Sequence, residues 1–340
     1  MRRSAYIDNA RWALIALVVL GHLLELVIWK RSQLLVVYRS IYLVHIPALI
    51  FLSGAVCSSE LSRKALSGVV SRLLVPLAVF QFAAWLLDHF AWWPGPRVAN
   101  LDQPWWLLWY LAALAAWRVL LPLFDTMKVT ARWTIAILLS LVAGFLGDLP
   151  PTTQRILVFL PVFMAGHYFF GAISAWGEKV SVKIAAAGIL CCVVIFMAMH
   201  NHFDMHWLYG NTNYGQLRVT GLEAVATRAV HLAAVIVASG AFLILVPRRD
   251  GIIATAGQYS ISAYILHGFL LKAVSVGLAA ILLRIPWPVV LTGSAVVAAA
   301  VSLVLSRRTL SNFVMMSWLS SALVGDPHRR DAQRKSTLPP

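Results

Sequence analysis

A histidine followed three residues later by a glutamate, with an arginine eleven residues upstream, is a set that can move a proton beside a phosphate-binding group. Here these residues are Arg11, His22 and Glu25, with Asp8 a further three positions before Arg11. At about 100° per residue, Arg11 and His22 lie only about 20° apart around a helix, and the two i,i+3 pairs extend the same face. The result is a polar stripe on an otherwise apolar segment. Ionisable groups are expensive inside a bilayer, so the stripe reads as functional, with a polar helix–helix contact as the plainer alternative. At a rise of 1.5 Å per residue, Arg11 sits about 16 Å from His22, near one interface, while His22 falls near mid-membrane. The two cannot act on one atom. The spacing suits a division of labour: Arg11 holds the phosphate end of a long donor, His22 is the general base, and Glu25 orients the imidazole and stabilises its protonated form.

Other positions carry weaker signals, and for each a structural reading stands beside the chemical one. His45-Ile46-Pro47 lies within an apolar segment, where proline frees a carbonyl and makes either a kink or a site. Arg72, with Arg63 and Lys64, forms a basic cluster that either binds phosphates or marks the cytosolic side. His167 and His267 are either satisfied core histidines or site groups, and Glu223, Arg228 and His231 are either an ionic brace or ligand contacts. Ser53-Gly54 reads as close helix packing, because no third group is spaced to complete a triad. The alternating His200, His202, Asp204 and His206 match no tight metal signature, so no metal is assigned. Trp207, Tyr209, Asn211, Asn213 and Tyr214 make either an ordinary polar loop or a lip of amide and aromatic groups able to hydrogen-bond and stack on a sugar. Trp92, Trp93, Trp105, Trp106 and Trp109 read as interfacial anchors. Cys57, Cys191 and Cys192 have no metal or disulfide spacing.

The elements that must position these groups are membrane helices. Of 340 residues, 60% are hydrophobic and only 12% charged, which argues against a soluble enzyme. Ten apolar stretches are expected to span the bilayer: 10–30, 34–57, 72–91, 105–124, 132–148, 155–173, 183–200, 222–246, 257–283 and 287–306. The formal net charge of +15 comes from Lys and Arg gathered between spans, which suits anionic lipid and topology rather than nucleic acid. Their distribution predicts both termini in the cytosol. The class expected is therefore an all-α polytopic integral membrane protein, with a transmembrane domain over 1–308 and a basic cytosolic tail over 309–340 that loses order toward its end. The first apolar run contains His22 and Glu25 and no cleavage signal follows it, so it reads as a retained helix.

Several strings resemble a known family. Arg11-x10-His22 within Tyr6-Ile-Asp-Asn-Ala-Arg11-Trp-Ala-Leu-Ile-Ala-Leu-Val-Val-Leu-Gly21-His22 is similar to the first-helix signature of the membrane-bound acyltransferase family 3, particularly its fucose 4-O-acetylase-like branch. Tyr42-Leu-Val-His45-Ile-Pro47-Ala-Leu-Ile-Phe-Leu-Ser53-Gly54 and Arg72-Leu-Leu-Val-Pro76 resemble its second and third helices. Leu108-Trp109-Tyr110-Leu111, Phe159-Leu-Pro161-Val-Phe-Met-Ala-Gly166 and Gly257-Gln-Tyr-Ser260-Ile-Ser-Ala-Tyr264-Ile-Leu-His267 continue the likeness over about 4–306. What the resemblance implies is acyl transfer, usually of acetyl from acetyl-CoA, onto a carbohydrate hydroxyl or lipid-linked sugar, in the inner membrane of a bacterium. It places Arg11, His22 and Arg72 in the functional set, with no bound cofactor beyond the donor substrate. His45, His267 and Arg228 are the additional candidates. The competing class is a proton-coupled secondary transporter in which His22, Glu25, His45 and Glu223 relay protons. The chain shows no internal repeat of the kind many transporters carry.

Overall fold

The fold follows from where the apolar runs end. The structure is a computed structural model describing residues 4–60, 62–90, 92–93, 99–147, 149–200 and 203–316. The helices in chain order are α1 Ala5–Glu25, α2 Leu35–Ala55, α3 Arg63–Val69, α4 Val75–His89, α5 Trp109–Asp125, α6 Val129–Val142 and α7 Pro151–Trp176. They continue as α8 Val180–Met199, α9 His206–Tyr209, α10 Gly221–Leu245, α11 Ile252–Gln258, α12 Ser260–Leu282, α13 Trp287–Leu305 and α14 Arg308–Val314. Among the described residues there is no strand. Nine helical segments among them are long and apolar enough to cross a membrane, and Val129–Phe145 is a shorter apolar one. This is a polytopic all-α membrane protein.

Side-chain exposure sorts the helices. Of the apolar centre of the span containing α2, 72% is buried, against 11% for that of α8 and 22% for that of α13. Ile184, Ile195, Val296 and Val304 on the outer helices are exposed apolar groups, as expected of surfaces facing lipid. At the centre, α2 and α7 approach so closely that glycine is required on both sides. A Cβ on Gly54 would come within 1.9 Å of the Phe163 carbonyl oxygen, and one on Gly166 within 1.7 Å of that of Phe51. Close approach through small residues is the usual way membrane helices gain dispersion contact. Ser53-Gly54 is thus a packing element, and the Ser53 hydroxyl also meets the Tyr110 hydroxyl at 2.8 Å.

Three departures from the expected spans matter for the site. First, α1 ends at Glu25, and 3-10 turns at Ile28–Lys30 and Ser32–Leu34 then lead into α2. His22 therefore lies in the last turn of α1. Second, the third span begins earlier than 72, at Arg63, and passes through a π-helical turn at Val70–Leu74 that contains Arg72. Pro76 has no N–H to offer the carbonyl four residues back, which is that of Arg72, and the wider turn precedes it. Third, the stretch 257–283 is broken at Tyr259 between α11 and α12. There the Ser260 hydroxyl donates to the Gly257 carbonyl at 2.9 Å and the Ser262 hydroxyl to that of Tyr259 at 2.7 Å, side-chain bonds that compete with the helical ladder.

The start of α1 is tied down at its own end of the bundle. Tyr6 donates its hydroxyl to the Leu243 carbonyl at 2.8 Å, and Asn9 Nδ2 donates to the carbonyls of Pro247 and Arg249 at 2.9 and 2.8 Å. Of the expected tail, α14 packs beside α12 with Ser311 and Val314 buried. Residues 317–340 lie outside the described residues.

Candidate active site

The last turn of α1 forms one wall of a cavity of about 240 Å³. His22 and Glu25 line it, together with Tyr42 and His45 from α2, Trp106 and Trp109 at the start of α5, Arg155 from α7, and Tyr209 from α9. His22 Nδ1 and Glu25 Oε2 are 2.9 Å apart. A carboxylate only accepts, so Nδ1 carries the proton, and in the neutral imidazole Nε2 then keeps the lone pair. Tyr42 donates its hydroxyl to the same Glu25 oxygen at 3.5 Å. A second cavity of about 450 Å³ shares His22, Glu25 and Trp106 and continues past Trp105 toward Leu271 and Lys272.

Trp106 packs edge-on against the His22 ring with centroids 4.4 Å apart. It does so with φ of +35°, a backbone region that bulky side chains seldom occupy and that costs about 1–3 kcal/mol. Buried Gln81 of α4 holds the strained turn: Trp105 N–H donates to its Oε1 at 2.6 Å, and its Nε2 donates to the carbonyls of Gln103, at 2.9 Å, and of Asn100. The tryptophan cluster is therefore divided. Trp92 is exposed, whereas Trp106 and Trp109 are walls of the cavity and not interfacial anchors.

His45 and His267 have their tautomers set by backbone carbonyls. His45 Nδ1 donates to the Ile41 carbonyl at 2.7 Å, and His267 Nδ1 to that of Ala263 at 2.8 Å. His45 lines the cavity with its other nitrogen available. His267 stands behind it, buried, its ring 5.6 Å from that of His22 and its Nε2 without a partner.

Arg11 and Arg72 meet elsewhere. They line a third cavity of about 260 Å³ with Arg118, Ser53, Tyr110 and Gln258. Arg11 Nη1 lies 3.3 Å from Asp8 Oδ1, so both i,i+3 pairs of the stripe form. Arg118 Nε is buried without a partner. Tyr264 lines both this cavity and the one holding His22. Its hydroxyl donates to the Leu107 carbonyl at 2.5 Å and its ring lies 5.6 Å from that of Tyr110. A tyrosine partition thus separates a three-arginine chamber from the His22–Glu25 chamber.

Arg228 is not part of either. It is fully buried, makes no ion pair with the exposed Glu223, and sits over the rings of Trp207 at 4.8 Å and Tyr214 at 5.8 Å. A cation–π stack therefore replaces the ionic brace. His167 Nε2 approaches Asp125 Oδ2 at 3.8 Å in a cluster with Arg132, away from the His22 cavity. Of the histidine-rich loop, His202 lies outside the described residues, His206 Nδ1 bonds Asp204 at 2.7 Å, and His200 Nδ1 donates to the Phe196 carbonyl at 3.0 Å. Among the described residues no three His, Cys, Asp or Glu side chains converge as a metal site would require. In the neighbouring loop Tyr209 and Asn211 line the cavity, while Trp207 and Tyr214 are committed to Arg228. Burial pushes the Tyr209 hydroxyl up to about 12, so it stays neutral beside the Tyr38 hydroxyl at 2.8 Å.

Sequence reasoning does not single out Arg118, Arg155, Tyr264 or Trp106 as site groups. The two arginines are within its reach as ionisable residues in or beside spans; the tyrosine and tryptophan offer no local signal.

An all-α bundle carrying two polar chambers on one first-helix stripe is the architecture of a multi-pass membrane protein built around buried chemistry. The chain belongs to the acyltransferase family 3: the family model described as an acyltransferase domain matches residues 4–307. Among curated proteins, it is 29% identical over 185 residues to the nodulation protein NolL of Sinorhizobium fredii (strain NBRC 101917 / NGR234), covering 49% of each chain. It is 28% identical over 149 residues to the nodulation protein NolL of Mesorhizobium japonicum (strain LMG 29417 / CECT 9101 / MAFF 303099), covering 39% of each. The chain thus spans about half, or less, of the length of these relatives. No solved structure matches it.

Proposed function

We propose that this chain is an integral membrane O-acyltransferase that moves an acyl group, acetyl foremost, from acyl-CoA to a hydroxyl of a carbohydrate or lipid-linked sugar. The observation that carries the reading is the His22–Glu25 pair facing a cavity that meets an arginine-lined chamber at Tyr264, within residues matched to the family. In this reading Arg11, Arg72 and Arg118 hold the donor phosphates through charge-assisted hydrogen bonds. The pantetheine arm passes Tyr264 and brings the thioester to His22, a distance that the helix rise sets at about 16 Å from Arg11. His22 Nε2 takes the acceptor hydroxyl proton as that oxygen attacks the acyl carbon, and Glu25 stabilises the imidazolium. With the N-terminus cytosolic, donor and acceptor approach from opposite faces of a bacterial inner membrane. No bound cofactor is required.

The test is turnover of labelled acetyl-CoA by the full chain in lipid, with a panel of glycans and lipid-linked sugars. Transfer or slow thioester hydrolysis supports the reading, and a folded protein that neither binds nor turns over acyl-CoA overturns it. Arg11→Ala and Arg72→Ala are each expected to raise KM for acetyl-CoA about tenfold or more with kcat little changed, as loss of a hydrogen bond to a charged group would do. Steady-state kinetics in the donor checks this.

A further inference from the structure

Arg155 is the cation of the His22 cavity that nothing in the family likeness singles out. It sits in the second turn of α7, partly buried, with its guanidinium carbon 4.6 Å above the Trp109 ring. Its Nε donates to the Tyr209 carbonyl at 3.1 Å. Among the described residues no carboxylate pairs with it, and no protein acceptor takes a hydrogen bond from its two terminal nitrogens. Tyr42, Tyr209 and Tyr264 line the same cavity, and the hydroxyls of Tyr209 and Tyr264 are committed to Tyr38 and to a backbone carbonyl. The guanidinium is thus held by one edge and one face, on a helix locked to α2 by Gly54 and Gly166, and it lines a chamber shared with His22.

Glu25 lines the same chamber but bonds His22 and Tyr42 rather than Arg155, so the guanidinium keeps donors for negative charge that develops there. In acyl transfer negative charge arrives at the carbonyl oxygen of the acyl group. We propose that Arg155 is the oxyanion-stabilising residue of the reaction, an inference that rests on the reading of His22 as base. The acceptor O–H gives its proton to His22 Nε2 while its oxygen forms the new C–O bond. The carbonyl π pair moves onto oxygen, and that oxyanion accepts hydrogen bonds from the Arg155 Nη groups. Collapse restores C=O and breaks the C–S bond, and the departing thiolate takes the proton from the His22 imidazolium. A preorganised donor of this kind acts on charge that exists only in the transition state, and its loss lowers kcat more than it raises KM.

The distinguishing experiment compares Arg155→Met and Arg155→Lys with wild type in two reactions: acetyl transfer to a neutral glycan, and acetyl-CoA hydrolysis without acceptor. Both pass through the same oxyanion. The Met variant is expected to lose about 100-fold in kcat in both, with KM for acetyl-CoA changed less than about threefold, and Lys to recover part of the loss. Unfolding temperature with and without CoA verifies that each variant folds and binds donor; should Met fail to fold, the Lys comparison carries the same split. Hydrolysis and neutral transfer at wild-type rates, with KM raised only for anionic acceptors, would make Arg155 an acceptor anchor and overturn the proposal. A His22-dependent wild type with an indifferent Arg155→Met overturns this proposal and leaves the base standing, whereas an inert wild type overturns both.

Discussion

His22→Ala is expected to lower acyl transfer about 10³-fold while leaving the protein folded, because among the described residues lining the cavity it removes the only imidazole with a carboxylate partner. The His22 ring is held on two sides. Glu25 fixes the tautomer through Nδ1 at 2.9 Å, and the Trp106 ring blocks rotation from 4.4 Å away. His45 and His267 cannot take over, since each has Nδ1 tied to its own helix and neither has a carboxylate partner among the described residues. Glu25→Gln keeps size and an acceptor oxygen but loses the charge that stabilises the imidazolium. It is expected to cost on the order of tenfold in kcat, the worth of one charge-assisted hydrogen bond. The measurement is kcat in lipid for wild type and both variants, with unfolding temperatures alongside. Unchanged turnover in folded His22→Ala would remove His22 from the mechanism, and a loss in Glu25→Gln confined to KM would remove Glu25 from the proton transfer.

The parts of this site that follow a helix are readable along the chain. Asp8–Arg11 and His22–Glu25 pair as i,i+3 neighbours, and apolar runs of bilayer length locate the helices. What escapes is set by packing between distant segments. Arg155 reads as an outer-loop charge when the helix is started at 155, yet Pro151 opens that helix and carries Arg155 to a position above Trp109. Trp106 reads as an interfacial anchor because nothing adjacent reveals a positive φ, which is imposed by Gln81 some 25 residues earlier. Tyr264 is one of many apolar-span aromatics until α12 is set against α5. Hydropathy runs the first helix on to about residue 30, because the apolar run continues past Glu25 while the helix ends there. Local periodicity describes an element, but a chamber is made of faces from several, and its membership is a property of their contacts.

Gly166→Ala is expected to destabilise the protein by about 3 kcal/mol or more, and Gly54→Ala comparably, since each added methyl must displace a backbone carbonyl. The methyl added at position 166 would lie 1.7 Å from the Phe51 oxygen and that added at position 54 would lie 1.9 Å from the Phe163 oxygen, far inside contact distance. Neither oxygen is the mobile end of a side chain. Relief requires α2 and α7 to separate along the whole contact. Gly188→Ala on α8 is the matching control: nothing lies within 4 Å of its added methyl, and alanine suits a helix better than glycine. That variant should unfold at or slightly above the wild-type temperature. Separation of α2 from α7 also pulls Tyr42 and His45 away from Arg155, so any Gly166→Ala protein that survives purification should lose transfer out of proportion to its loss of donor binding. Thermal unfolding in detergent, read with and without CoA, measures stability and donor binding, and turnover in lipid measures the transfer. Equal unfolding temperatures for the alanine variants at 166 and 188 would mean that α2 and α7 are not in backbone contact, and the geometry argued for Arg155 would fall with that contact.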